Sequence, residues 1–128
     1  MSYYFSKTIA LPFEEAVERV KAELKKDGFG VLTEIDVKKT LHEKLGVDFR
    51  PYRILGACNA PFAYRALQAD DKIGTMLPCS VIVQELCPGR VEVASIDPLA
   101  SMAAVKNEDL GEIGLEVRVK LKAVVDRL

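Results

Sequence analysis

The stretch 51–58 (Pro-Tyr-Arg-Ile-Leu-Gly-Ala-Cys) restricts the fold more than any other part of the chain. As a strand it puts Tyr52, Ile54, Gly56 and Cys58 on one face and Arg53, Leu55 and Ala57 on the other. Both faces are largely apolar, unlike a strand with one side in water. A single layer of helices covers only one of them. The second face is therefore expected to meet another subunit. A second run, 77–85 (Leu-Pro-Cys-Ser-Val-Ile-Val-Gln-Glu), is built alike: β-rich, with a cysteine at one end and a proline close to it. A helix-like segment, 61–71, joins the two runs.

The remaining elements follow from hydrophobic period. Residues 3–11 read as a strand rich in aromatic and β-branched types, ended by Pro12. Over 13–27, Phe13, Ala16, Val17, Val20 and Leu24 keep the helical period, with Glu14 and Glu15 in the first turn, Lys25 and Lys26 in the last, and Gly28 as the stop. Residues 30–37 alternate as a strand: Val31, Thr33, Ile35 and Val37 on one face, Leu32, Glu34 and Asp36 on the other. A short helix over 38–46 closes at Gly46. Asn59 is the expected N-cap of a helix over 60–71, with Pro61 in its first turn, where no N–H is needed. Residues 79–87 and 90–97 predict a hairpin around Pro88-Gly89, with Cys79, Val81, Val83, Glu85 and Cys87 sharing a face. Pro98 ends the sheet, and 99–105 is expected to hold a short helical turn. Asn107 caps a final helix over 108–127, striped by Leu110, Ile113, Val117, Leu121 and Val124. The glycines at 111 and 114 are costly inside that helix, which predicts close packing there. The order of elements argues an α+β class: helices on one face of a mainly antiparallel sheet.

At 128 residues this is the length of one domain, long enough to bury a core. With 18 basic and 19 acidic residues the chain lacks the basic footprint that phosphate neutralisation requires, so nucleic acid is not an expected partner. No apolar run reaches membrane-spanning length, so no membrane is expected either. The first residues lack a basic region followed by an apolar one, so no signal peptide is expected. Three cysteines are then expected to be reduced, cytoplasmic thiols.

Cys58 leads the candidate site residues, because a thiol at a strand end just before a helix N-terminus is placed to favour its thiolate. Cys79 begins a following strand. If the two strands are neighbours, the sulfurs can meet and hold a soft metal, a sulfur species or each other. The alternative is that both are small buried hydrophobes. Asn59 adjoins Cys58. Glu34 and Asp36, two residues apart on one face, can hold a cation, do acid–base work or simply be solvated, and Arg53 can answer them across strands. Cys87, at the hairpin tip, reads as incidental. His42, the only histidine, lies among charged neighbours and reads as exposed. No CxxC or HxxxH spacing for zinc and no Gly-rich phosphate loop occurs.

Three phrases in order, YRILGACNAPFAYRAL, IGTMLPCSVIVQE and VEVASIDP, resemble the domain-of-unknown-function 302 (DUF302) family, over nearly the whole chain from Lys7 to about Arg127. The resemblance implies a curved antiparallel sheet carrying long helices, with a TATA-binding-protein-like architecture, assembled as a homodimer. It implies no DNA binding, because fold does not carry function. Where the family has Asn-Pro, this chain has Asn59-Ala60 followed by Pro61, which shifts the proline by one place. The resemblance supplies neither an activity nor a cofactor.

Three readings of function remain open. One is a homodimeric module binding a small ligand or soft ion near Cys58, Asn59 and Cys79, with Glu34 as a polar contact. Another is a thiol-dependent enzyme or redox protein with Cys58 as nucleophile. The last is a structural or interaction module whose cysteines are only core.

Overall fold

A computed structural model describes residues 2–128. Five strands form one antiparallel sheet: β1 (Tyr4–Ile9), β2 (Gly30–Asp36), β3 (Tyr52–Cys58), β4 (Cys79–Cys87) and β5 (Arg90–Ile96), in the spatial order β1-β5-β4-β3-β2. The helices are α1 (Phe13–Lys26), α2 (Val37–Leu45), α3 (Ala60–Ala69), α4 (Pro98–Ser101) and α5 (Glu108–Arg127), with a 3-10 turn over Ile73–Met76. The chain is thus α+β with an open antiparallel sheet.

The core lies between one sheet face and the helices. Leu55 and Ala57 of β3, Val81 and Val83 of β4, and Val91 and Val93 of β5 are buried against Ala16, Val17, Val20 and Leu24 of α1. From α5, Leu110, Ile113, Val117, Leu121 and Val124 complete it. These are the positions that the 2.0 and 3.6 periods select. The other sheet face carries Tyr4, Ile35, Ile54, Ile82, Ala94 and Ile96. None of these is buried. Cross-strand pairing aligns Ile54, Ile82 and Ala94 in one row, with Tyr4 beside Ile96 in another.

Helix ends are set locally. The α1 terminus is a Schellman turn: Gly28 has φ +84°, Phe29 N–H donates to the Leu24 carbonyl and Gly28 N–H to that of Lys25. Asn107 caps α5, its side chain accepting from the N–H groups of Asp109 and Leu110 and donating to the Ala69 carbonyl. That last bond ties the end of α3 to the start of α5. Within α5, a Cβ at Gly114 would meet Leu99 and Met102 only at ordinary contact distance, 3.5 and 3.7 Å, so packing does not require this glycine. Nothing approaches Gly111.

Two bulges alter the faces that strict alternation predicts. In β2, Val31 pairs with Ala57 but Thr33 pairs with Gly56, leaving Leu32 as the extra residue. Val31 therefore faces the helices, while Thr33 and Ile35 lie on the other side. In β4, Glu85 pairs with Val91 and Cys87 with Arg90, so Cys87 leaves the face of Glu85. The helix expected to run to residue 71 ends at Ala69, and the connection onward is the 3-10 turn with Ile73 buried.

Candidate functional site

Between the ends of β3 and β4 and the helices α3 and α5 lies a half-open cavity of about 270 Å³. Strand pairing opposes Ala57 to Cys79, so Cys58 and Cys79 fall at adjoining strand ends. Both line the cavity, with Asn59 at the turn into α3. The other walls come from Phe29, Phe62, Ala66, Ile113 and Val117, with Pro98 and Met102 from the segment after β5. The space exists because α3 presents Ala63 and Ala66 to it, and α5 presents Gly114. Larger residues there would fill the gap.

Asn59 occupies the N-cap position of α3, but its side chain makes no cap bond. Its amide instead donates to the Asp27 carbonyl at 3.2 Å. A Cβ at Gly28 would come within 3.2 Å of that amide nitrogen, so the glycine that ends α1 also makes room for Asn59. The turn between α1 and β2 is thereby fastened to the mouth of the cavity.

Burial pushes the Cys79 thiol up to about 11, with the nearby Cys58 adding to the rise. It is therefore neutral at physiological pH. Strand alternation placed Cys58 on the face of Tyr52; at the last residue of β3, where the chain turns into α3, it lines the helix-side cavity instead. Close by, Gly56 admits Thr33 and Pro78. A Cβ there would meet the Thr33 hydroxyl and come within 2.8 Å of Pro78 Cγ.

Glu34 is not part of this cavity. It pairs with Leu55 in the middle of β3, and its carboxylate turns away from the cavity to Lys21 Nζ at 2.7 Å and Arg53 Nη1 at 2.9 Å. Arg53 also reaches Glu14 at 2.8 Å and Asp36 Nε-to-carboxylate at 3.7 Å. The bond from Lys21, ahead of Arg53, holds the Glu34 carboxyl below its ordinary range. Asp36, its neighbour on that face, also caps α2 by accepting from Lys39 N–H at 3.0 Å. These groups answer one another and are directed at structure. His42 is exposed, and Cys87 is exposed at the hairpin.

Sequence reasoning missed Phe62, Met102 and Gly114 as cavity residues. Gly114 carried a signal, a glycine in a helix, but that signal gave no location. Among the described residues, no group of three or more His, Cys, Asp or Glu side chains is arranged to hold a metal ion, and no helix is long and apolar enough to cross a membrane.

The family profile described as "Domain of unknown function DUF302" matches residues 5–128. The chain belongs to the DUF302 family. A solved structure supports the fold of this DUF302 chain in detail. The crystal structure of an uncharacterized conserved DUF302 protein from Bacillus stearothermophilus is 30% identical, with a TM-score of 0.90 over 99% of this chain and 98% of that one. No curated protein matches the chain.

Proposed function

We propose that this DUF302 chain is a cytoplasmic, homodimeric module that binds a small ligand between β3, β4, α3 and α5. The observation that carries this is the half-open cavity onto which Cys58, Asn59 and Cys79 converge. Concave, mostly apolar clefts with a few polar groups are the usual form of small-molecule sites. A soft ion is less well served. It would find two thiols and one amide, and the Cys79 proton is hard to remove. A nucleophilic Cys58 would need a base to take its proton, and no His or carboxylate lines the cavity.

The dimer is supported by the row Ile54, Ile82 and Ala94 and by Tyr4 beside Ile96 on the face that the helices leave bare. A TATA-binding-protein-like architecture is supported by the open antiparallel sheet with α1 and α5 on one face. The free state of all three cysteines suits a reducing compartment.

The test is a thermal-shift screen of metals and small molecules on the wild type and on the Cys58→Ser/Cys79→Ser double variant. Ligands that stabilise the wild type and lose that effect in the variant support the site. Identical responses from both proteins would remove the thiols from it. For the dimer, sedimentation of Ile82→Lys should give a monomer where the wild type gives a dimer. A monomeric wild type would refute that part.

A further inference from the structure

The walls of the cavity contain no charged side chain, and Asn59 is the only one with an amide. From this we infer that its occupant is a neutral, ring-sized apolar molecule carrying at most one hydrogen-bonding group. The inference rests on the ligand-binding reading above and narrows it to a chemical class.

Charge is the first discriminator. A carboxylate or ammonium drawn to the inner wall of this half-open space loses much of its hydration and finds no counter-charge, which disfavours an unpaired ion. The charged side chains of β3 and its neighbours do not help, because Arg53, Lys21, Glu14 and Glu34 pair with one another at the other end of the strand. Nor does Cys79 supply an anion, since burial keeps its thiol protonated.

Size and wall chemistry narrow the class further. A dry cavity of about 150 Å³ accepts benzene. The present one, near 270 Å³, takes a body of roughly two fused rings. Its walls offer sulfur from Cys58, Cys79 and Met102 together with the rings of Phe29 and Phe62. Sulfur and aromatic edges are both favourable partners for an aromatic ligand. Asn59 supplies the single polar handle. Its amide N–H is committed to Asp27, whereas its carbonyl oxygen caps nothing and can accept from one ligand N–H or O–H.

Two probes that share a ring system separate these terms: indole, neutral with one N–H donor, and indole-3-carboxylate. Calorimetric titration of the full chain should show indole binding at least tenfold more tightly than the carboxylate. The variant Ala63→Phe, which projects a ring into the cavity from α3, should weaken indole at least tenfold. Gly114→Ala adds a methyl whose nearest neighbours, Leu99 and Met102, sit at ordinary contact distance. It keeps the fold and should weaken indole by a smaller factor, which secures the test if Ala63→Phe does not fold. Tighter binding of the carboxylate, or of cadmium alone, with loss in the cavity variants would overturn the neutral class and leave the ligand site standing. Indole affinity unchanged in both variants would place it elsewhere and overturn the inference. Binding of none of the three probes would overturn the ligand-binding reading together with it.

Discussion

At one end of β3, Arg53 is ringed by Glu14, Glu34 and Asp36, with Lys21 on the far side of Glu34. At the other end of the same strand, Cys58 opens onto a space walled by apolar groups, sulfur and one amide. Both ends collect residue types that carry chemistry elsewhere, so both look alike as candidates in a sequence. The structure separates them by what is already satisfied. Charges at the Arg53 end use their hydrogen-bonding capacity on each other. The Cys58 end has few polar groups but leaves room. A cluster of ionisable residues is thus weaker evidence for a site than an unfilled volume with one or two free polar atoms.

Thiol chemistry sharpens the contrast most. With its pKa near 11, Cys79 should alkylate with iodoacetamide at pH 8 roughly two orders of magnitude more slowly than an ordinary thiol near 8.5, measured by mass spectrometry of the modified peptide. A rate equal to that of a free thiol would mean the cavity end is not the low-dielectric place described.

Steric fit at that end comes next. Gly56→Ala would force Cβ against Thr33 and Pro78 and should cost about 1–3 kcal/mol in denaturant melts. Gly111→Ala, where nothing is near, should instead gain up to about 1 kcal/mol.

The ion cluster gives smaller effects. Arg53→Met removes the partner of three carboxylates and should cost about 1–2 kcal/mol at neutral pH, read by the same melts. No change would demote the cluster to solvated charge. Glu34→Gln should cost less than about 1 kcal/mol, since the pair is partly open to solvent. Its pH dependence has a definite sign. The folded-state pKa of Glu34 lies below the unfolded value, so its contribution is complete above about pH 4.3 and disappears as pH falls through the folded pKa. Wild type and variant should therefore converge in stability on acidification. A gap that widens in acid would contradict the pairing.

The architecture was legible because most elements obey a single period. α1 and α5 carry unbroken apolar stripes, and the β4–β5 hairpin turns at Pro88-Gly89 as its residues require. What escaped was set by register between strands. Leu32 becomes an extra residue only because Gly56 faces Thr33, and nothing local to 30–36 announces that bulge. Asn59 was readable as the residue before α3. Its bond to Asp27 was not, because it joins positions 32 apart. Cys58 and Cys79 could be named as candidates but not brought together until Ala57 was paired with Cys79. Glu34 was readable as a charged residue of β2, but its pairing was not, because sequence does not show that Lys21 of α1 answers it.

The most direct measurement is residue-resolved mapping of bound indole by methyl and amide NMR on the full chain. Shifts are expected at Ala63, Ala66, Met102, Ile113 and Val117, with Lys21, Glu34 and Arg53 unmoved. Saturable shifts centred on the Arg53 cluster, with the cavity methyls silent, would contradict binding in the cavity.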